Sequence, residues 1–342
     1  MAIMPAPCPE ISIGEKVAFL GRPDAYPQRP QQVEVIETHM SWVFLAGQFV
    51  YKLKKPVRHD FLDFSTVAAR RLNCEREVQL NRRLAGDVYR RVVPLTVESD
   101  GTLRLEGTGA VVDWLVEMRR LPADRMLDVA IRNHTLGADE LQKLGDTLVD
   151  FYRHATPVPM DAGDYRQRFE KSIRVNRGEL SRPESALDTE QIERLTRCQL
   201  DFVAARGDLL ERRATAGKIV DAHGDLRPEH ICLTPEPVII DCLEFNREFR
   251  LLDPVDELAY LAMECERLGA AALGDRILHC YLEATADPAP LPLIAFYKAF
   301  RACLRAKIAI WHLADREVRD GDKWRCRARD YLELAERHLC HG

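Results

Sequence analysis

The first third of the chain shows the two-residue period of β-strands. QQVEVIE alternates between apolar and polar residues, SWVFLAG is apolar, and QFVYKLKK alternates again after a turn at Gly47. Two further strand-like runs follow, VVPLTVE and, beyond the turn at Asp100-Gly101, GAVVDWLVEM. A short apolar patch around Val17 predicts a helix on the outside of this region. Together these runs predict a small antiparallel sheet.

One long helix is predicted among these strands, over residues 65–84. Ser65 or Thr66 can cap its start. Its inner face is expected to carry three leucines, namely Leu72, Leu80 and Leu84. Glu77 shares the face of the last two leucines because it precedes them at helical spacing, whereas Glu75 is rotated away. We therefore expect Glu77 to point inward, with Glu75 as the alternative.

Most of the rest of the chain has the pattern of helices. Residues 137–155 are amphipathic, and residues 161–218 form a long helical stretch dense in charges of both signs. Mixed charge at helical spacing is common on a solvated face. The last hundred residues predict two or three amphipathic helices.

One of these later helices has a clear start at Asp253-Pro254. Aspartate is a good cap, and proline suits the first helical position. Asp256 and Glu257 fall in the first turn, so we expect them to be structural. Further on, Arg301 and Arg305 lie four residues apart on one helical face, where they could meet an anionic acceptor or bridge to acids nearby; we favour bridging.

Composition excludes several classes of protein. The chain has 342 residues, of which 30% are charged and 46% hydrophobic, as is ordinary for a soluble globular protein. A net charge of −5 gives no reason to expect a nucleic-acid partner. The beginning of the sequence has no signal-peptide pattern, and no apolar run suits a membrane helix. Ten cysteines occur singly, which indicates reduced thiols. We expect a cytoplasmic protein without a membrane partner; its oligomeric state stays open.

The stretch that carries chemistry is VDAHGDLRPEHICLTPEPVIID, residues 220–241. A polar loop is followed by two short apolar runs, ICL and VII, and two acids, Asp225 and Asp241, lie at the tips of short strands. Two carboxylates in this arrangement suit phosphate transfer. One can accept the proton of an attacking hydroxyl, and the other can hold the divalent metal that neutralises phosphate oxygens.

The spacing in this stretch resembles a kinase catalytic loop. That loop has the form H-x-D-x-x-x-x-N with a metal-binding Asp downstream. His223, Asp225 and His230 fall on this spacing, with His230 in place of Asn. Together with VYKLKKP and DCLEF, the motif resembles the aminoglycoside phosphotransferase and choline kinase-like family, in particular an uncharacterised bacterial group within it.

The resemblance extends from about Gln32 to beyond Lys307 and implies an α+β, two-lobed protein-kinase-like fold. Residues 1–118 would form an N-terminal nucleotide-binding lobe with a small antiparallel sheet and a helix. Residues 119–342 would form a larger, mostly helical lobe for catalysis and the acceptor. In that lobe, residues 161–218 would either help form the acceptor pocket or present a solvated face.

The resemblance also implies roles for several side chains. Asp225 would deprotonate the acceptor hydroxyl, and His223 of the same loop is expected to be a catalytic residue with it. Arg227 would neutralise charge on the transferring group, or alternatively form a salt bridge within the loop. Lys52 would hold ATP phosphates and pair with Glu77. The two following lysines, Lys54 and Lys55, are near the strand end and are expected to be solvated.

Adenine and metal contacts follow from the same resemblance. The adenine would meet the backbone of hinge residues Val116, Glu117 and Met118. The metal ligand would be Asp241, with help from His230 or Glu244.

The sequence departs from better-known kinases in three places. His230 replaces the usual asparagine ligand, no glycine follows Asp241, and the turn THMSW lacks glycines, so that Thr38 and Ser41 hydroxyls would have to cover phosphates. Mg²⁺ prefers oxygen ligands, whereas imidazole suits softer ions such as Mn²⁺. Either Glu244 supplies a replacement oxygen, or His230 donates to phosphate, or the site favours manganese.

The expected function is ATP-dependent transfer of the γ-phosphate to a hydroxyl of a small molecule, with ATP and Mg²⁺ or Mn²⁺ as cofactors. Two alternatives stay open. One is a nucleotide-binding regulator without turnover, and the other is an enzyme that transfers AMP on the same fold. The sequence contains no G-x-x-x-x-G-K-[ST] motif, so a P-loop kinase module is not predicted.

Overall fold

The computed structural model describes residues 11–59, 62–314 and 321–339. The chain forms two compact units. The first comprises the chain up to Ala123 together with Val238–Arg247, and the second comprises Asp124–Pro237 and the chain from Glu248. The division thus falls a few residues after the predicted boundary at residue 118. It also assigns to the first unit a segment that we expected in the second.

The first unit is built on an antiparallel sheet. Within the described residues its six strands are β1 (Val33–Glu37), β2 (Ser41–Ala46), β3 (Phe49–Lys54), β6 (Tyr89–Val97), β7 (Leu103–Leu105) and β8 (Ala110–Arg119), and they lie in the order β1-β2-β3-β8-β6-β7. Short strands of this unit outside the sheet are β4 (Arg58–His59), β5 (Leu62–Asp63) and, in the returning segment, β11 (Val238–Ile239). The sequence pattern predicted the five longest of these strands and also β11, as the apolar run VII. It did not predict β4, β5 and β7, whose few residues carry no resolvable period.

Two helices accompany the sheet, α1 (Ile13–Leu20) and α2 (Val67–Ala85). Ser12 caps α1 in a capping box with Glu15, and Thr66 caps α2 by accepting from the Ala69 amide at 3.1 Å. Leu20 of α1 belongs to the sheet's apolar core, so α1 covers that core as predicted.

The inner face of α2 differs from the prediction. Leu72 is 48% exposed, and Leu80 and Leu84 are only partly buried. The buried positions are mainly polar or small: Arg70, Asn73, Cys74, Glu77, Val78, Asn81 and Ala85. The prediction that three leucines form the inner face was wrong. Helix α2 is anchored mainly by polar contacts and small side chains, and a hydrophobicity pattern does not identify such positions as buried.

The second unit is mostly helical. Its helices are α3 (Leu127–Arg132), α4 (Ala138–His154), α5 (Ala162–Leu180), α6 (Thr189–Thr215), α7 (Pro254–Arg267), α8 (Ala271–Thr285), α9 (Leu291–Trp311) and α10 (Gly321–Leu339). Its strands are short: β9 (Val220–Asp221), β10 (Ile231–Cys232) and β12 (Leu251–Leu252). The pairing of β9 with β12 supports the loop that begins at Ala222.

Helix α7 runs through the middle of this unit, and its side chains from Pro254 to Cys265 are buried. Asp253 caps it by accepting from the Val255 amide at 3.0 Å, and Pro254 takes the first helical position, as predicted. Throughout the portion that the structure describes, no helix combines the length and apolarity needed to cross a membrane.

Candidate active-site residues

The centre of the first unit is Lys52, on the third strand of the sheet. Its ammonium donates to Glu77 Oε1 at 2.8 Å and to Asp241 Oδ1 at 2.7 Å. Burial would lower the pKa of Lys52, but the carboxylates of Asp241 and Glu77 outweigh it and raise the pKa well above its usual value. Lys52 is therefore a fixed cation. Glu75, the alternative partner, is exposed and pairs with Arg71.

Lys54, predicted to be solvated, is buried, so that prediction was wrong. Its ammonium donates to Glu77 Oε2 at 2.6 Å and to Glu244 Oε1 at 2.5 Å. It is only 1% exposed, because two carboxylates compensate for the loss of water. Lys55 lies closer to solvent, where it pairs with Glu37.

Asp241 has a backbone conformation unusual for a residue other than glycine, with φ of +61°. Its amide donates to the Tyr89 hydroxyl at 3.0 Å, and the Cys242 amide donates to Asn81 Oδ1 at 2.9 Å. These contacts hold the turn, so it needs no glycine. Tyr89 and Asn81 were not predicted as site residues, because their only signal in the sequence is a polar group at an otherwise inward-facing position.

The residues present suit a hard divalent cation at Asp241. Its side chain is 44% exposed and offers carboxylate oxygens of the kind that Mg²⁺ prefers. Glu244 differs, because Lys54 holds one of its oxygens and burial raises its pKa above the usual value despite that lysine. Within the described ranges, no cluster of three or more His, Cys, Asp or Glu side chains could by itself hold a metal ion.

The centre of the second unit is Asp225. Its carboxylate accepts from the Tyr260 hydroxyl at 2.9 Å and lies 3.1 Å from Arg227 Nε. Burial would raise the pKa of Asp225, but Arg227 and other nearby cations lower it to about 2. The carboxylate is therefore ionised throughout the physiological range. Its side chain keeps 29% exposure, which leaves it open to an incoming hydroxyl.

The loop around Asp225 is braced from α7. Glu257 is completely buried, and its carboxylate accepts from the amides of His223 and Gly224 and from the Tyr152 hydroxyl, the last at 2.6 Å. His223 is also buried, and its Nδ1 accepts from the Asp225 amide at 3.3 Å. Its geometry is that of a residue that shapes the loop. The prediction that Glu257 is structural is confirmed by these contacts.

Both ring nitrogens of His230 face partners in the same loop. Nε2 lies 3.0 Å from Arg227 Nη2, and Nδ1 lies 2.9 Å from the carbonyl oxygen of Asp225. A guanidinium can only donate, so Nε2 accepts and Nδ1 carries the proton. The ring thus braces the loop. Metal ligation through Nε2 would require the contact with Arg227 to break.

The predicted hinge residues are strand residues. Val116 pairs with Lys52 of β3 on one side and with Val92 of β6 on the other, and Glu117 is likewise registered against both strands. Their backbone groups face neighbouring strands and are not available to an adenine ring. The prediction that these residues form the hinge therefore needs correction. Met118 is also a strand residue, and β8 ends one residue later.

Other side chains considered for ligand contacts have structural partners. Arg301 forms two hydrogen bonds of 2.7 and 2.6 Å with Asp256, and Arg305 lies 3.2 Å from Glu264, as the bridging interpretation predicted. In the first turn of the sheet, the Thr38 hydroxyl donates to the Ser41 carbonyl. Ser41 is only 1% exposed. These two residues close their own turn.

Comparisons with solved structures define the class of fold. A choline/ethanolamine kinase family protein from Mesorhizobium loti aligns over 95% of this chain and 94% of its own, with a TM-score of 0.51 and 16% identity. An aminoglycoside phosphotransferase in complex with GDP and kanamycin aligns over 94% of this chain and 97% of its own, with a TM-score of 0.54 and 16% identity. A choline kinase from Cryptosporidium parvum aligns over 94% of this chain and 95% of its own, with a TM-score of 0.51 and 11% identity. The chain therefore has the two-lobed kinase-like α+β fold predicted from its sequence.

Sequence comparisons identify nearer relatives. Uncharacterized proteins of Mycobacterium tuberculosis and Mycobacterium bovis are 34% identical over 295 residues, which make up 84% of this chain. The match spans 57% of their length, so this chain corresponds to little more than half of each relative. No family model matches the sequence.

Proposed function

We propose that this protein is an ATP-dependent phosphotransferase that moves the γ-phosphate to a hydroxyl of a small molecule. The observation that carries the proposal is the ion-paired Lys52 of the first unit, whose ammonium joins Glu77 to Asp241. A lysine held by a helical glutamate and a metal-type aspartate is the arrangement that kinase-like enzymes use to bind nucleotide phosphates. The kinase fold of the similar structures supports the same class of reaction.

In the first unit, Lys52 would bind the phosphate oxygens while Glu77 keeps its ammonium in place. Asp241 would hold the divalent cation, which neutralises charge on the phosphates when bound. Because Lys52 and Asp241 are now paired with each other, nucleotide and metal would replace a contact that the protein makes by itself. Backbone contacts to the adenine would come from the segment after β8, residues 121–123, since the Arg120 amide still donates to the Gln48 carbonyl at 2.8 Å.

In the second unit, Asp225 would orient the acceptor hydroxyl and take its proton. A carboxylate with a pKa of about 2 is a weak base. A loose phosphoryl-transfer transition state needs little nucleophile activation, so orientation and late proton transfer suffice. Arg227 would stay beside this carboxylate as a fixed positive charge near the transferred group.

The test is an incubation of the protein with labelled nucleotide. γ-Labelled ATP should transfer label to an acceptor or to water, and α-labelled ATP should not. Transfer of the α-label would indicate AMP transfer, and binding without any turnover would indicate a nucleotide-binding regulator. An untargeted metabolite screen for an ATP-dependent gain of one phosphate mass would identify the acceptor. GTP should be run beside ATP, because a similar structure is a complex with GDP.

Two substitutions separate the proposed roles. Asp225→Asn should retain binding of ATP and Mg²⁺ and lose about 10²–10⁴-fold in rate, the usual scale for a positioned base. Asp241→Asn should lose the metal-dependent part of nucleotide binding. Identical binding by both variants would contradict this division of roles.

A further inference from the structure

Five charged side chains of the first unit form one continuous sequence of ion pairs, here called the charge chain. Its members, in order of contact, are Asp241, Lys52, Glu77, Lys54 and Glu244. Each contact joins one ammonium to one carboxylate, at distances between 2.5 and 2.8 Å. Glu77 is the central member and uses one carboxylate oxygen for each lysine.

The two ends of the charge chain lie close together in sequence. Asp241 and Glu244 belong to the same short segment after β11, and each is held by a different lysine of β3. Lys52 and Lys54 lie two residues apart, so they project from the same face of that strand. The segment is therefore attached to the strand at two points, and Glu77 of α2 joins the two attachments.

Exposure falls sharply from Asp241 to Glu77 and Lys54, and it is 10% at the other end, Glu244. The Asp241 side chain is 44% exposed, Lys52 15%, and Glu77 and Lys54 at most 1%. Only the Asp241 end is well placed to exchange its partner for a solvated cation. Lys54 lies too deep to reach a phosphate, but it touches both the acid that holds Lys52 and the segment that carries Asp241.

We propose that Lys54 is a positioning residue for the cation bound at Asp241. This inference rests on the proposed function, since it assigns Lys54 a part in binding the metal and nucleotide. Lys54 fixes Glu244 and thereby the segment that sets the direction of the Asp241 carboxylate. Without Lys54, Glu244 would be a buried acid without its cation. The segment would then lose one of its two attachments to the strand, and the direction of the Asp241 carboxylate would no longer be fixed.

The experiment measures ATP affinity by calorimetry with and without Mg²⁺, and takes the ratio of the two affinities as the metal effect. Lys54→Met should reduce the metal effect about tenfold or more while affinity for metal-free ATP changes little. Glu244→Gln breaks the same contact from the other side and should reduce the metal effect in the same way. The double variant should lose no more than Lys54→Met alone, because both substitutions remove one interaction.

The matched control is Lys16→Met. Lys16 is another buried lysine of the first unit, and it pairs with Asp113 at 2.7 Å, outside the charge chain. This control should lower thermal stability and leave the metal effect at the parent value. A general loss of stability is thereby distinguished from a loss of positioning.

The outcomes separate this inference from the proposed function. If the parent binds ATP with a metal effect that Lys54→Met and Glu244→Gln leave unchanged, the inference is wrong and the proposed function stands. Equal losses of affinity with and without Mg²⁺ would also overturn it, because Lys54 would then bind phosphate or only support the fold. If the parent binds neither ATP nor GTP, the proposed function fails and this inference fails with it. Should Lys54→Met not fold, Glu244→Gln decides.

Discussion

Replacement of Asp225 by asparagine should reduce the stability of the protein as well as its activity. The pKa of Asp225 is lowered from an ordinary 3.8 to about 2, which means that the folded protein favours the ionised carboxylate. At about 1.4 kcal/mol per pH unit, this corresponds to about 2 kcal/mol of stability at neutral pH. Asparagine keeps the shape of the side chain but removes the charge that compensates Arg227. We therefore expect Asp225→Asn to lower the free energy of unfolding by about 2 kcal/mol at pH 7.

The loss should depend on pH in a defined direction. Because the folded pKa of Asp225 lies below its unfolded value, its contribution is fully present above about pH 4 and disappears as the pH falls through about 2. The difference between parent and variant should therefore shrink to about half near pH 3. Urea unfolding of both proteins at pH 7, 5 and 3 measures it, and comparison with the parent cancels the other groups that titrate there.

Tyr260→Phe is the control for this measurement. It removes the hydroxyl that donates to Asp225 at 2.9 Å and leaves the charge in place. Its main cost is a hydrogen bond to a charged acceptor, about 1.5–3 kcal/mol, which should vary less between pH 7 and pH 3 than the loss in Asp225→Asn. If Asp225→Asn is as stable as the parent at pH 7, or if its loss does not change with pH, the electrostatic account of this loop is wrong.

Three further predictions concern the remaining parts of the two centres. Lys52→Met should weaken ATP binding with or without metal, because it removes the ammonium proposed to bind phosphate. It should also lower the melting temperature, because it removes one of the two cations that hold the buried Glu77. Unchanged ATP affinity of this variant in calorimetry would refute the phosphate-binding role. Glu257→Gln should cost about 2–4 kcal/mol in urea unfolding and slow turnover, because its amide group would face backbone donors, whereas Tyr152→Phe should cost less. His230→Asn should leave the ratio of Mn²⁺ to Mg²⁺ activity unchanged, since its ring braces the loop; a shift toward Mg²⁺ would instead indicate direct ligation.

Much of the fold could be predicted because its signals are local. The alternating strands around Gly47, the Thr66 cap and the Asp253-Pro254 helix start each depend on a few neighbouring residues, and the structure contains all of them. The spacing from His223 to His230 likewise located the loop that contains Asp225. Short elements such as β7 were missed because three residues cannot establish a period.

The errors share a different cause, which is compensation from distant parts of the chain. Lys54 was expected in solvent because a lysine at a strand end is usually exposed, and only the arrival of Glu244, far along the sequence, makes its burial favourable. Leu72 was expected inside because leucine is apolar, yet α2 is anchored by polar contacts around Asn81 and Glu77. The residues predicted as hinge belong to a strand because β8 continues to Arg119, and strand length depends on the partners on both sides.

The environments of the two acids account for the division of labour that we propose between them. Asp225 is paired with an arginine, which is always charged and cannot be exchanged for a metal without leaving a buried cation beside it. Its carboxylate is therefore kept as an ionised acceptor for protons. Asp241 is paired with Lys52, which has a second carboxylate partner in Glu77. The charge of Lys52 therefore remains compensated when the Asp241 carboxylate binds a metal cation instead. The same residue type can thus serve as base in one unit and as metal ligand in the other, because only one of the two pairs can open without exposing an unpaired charge.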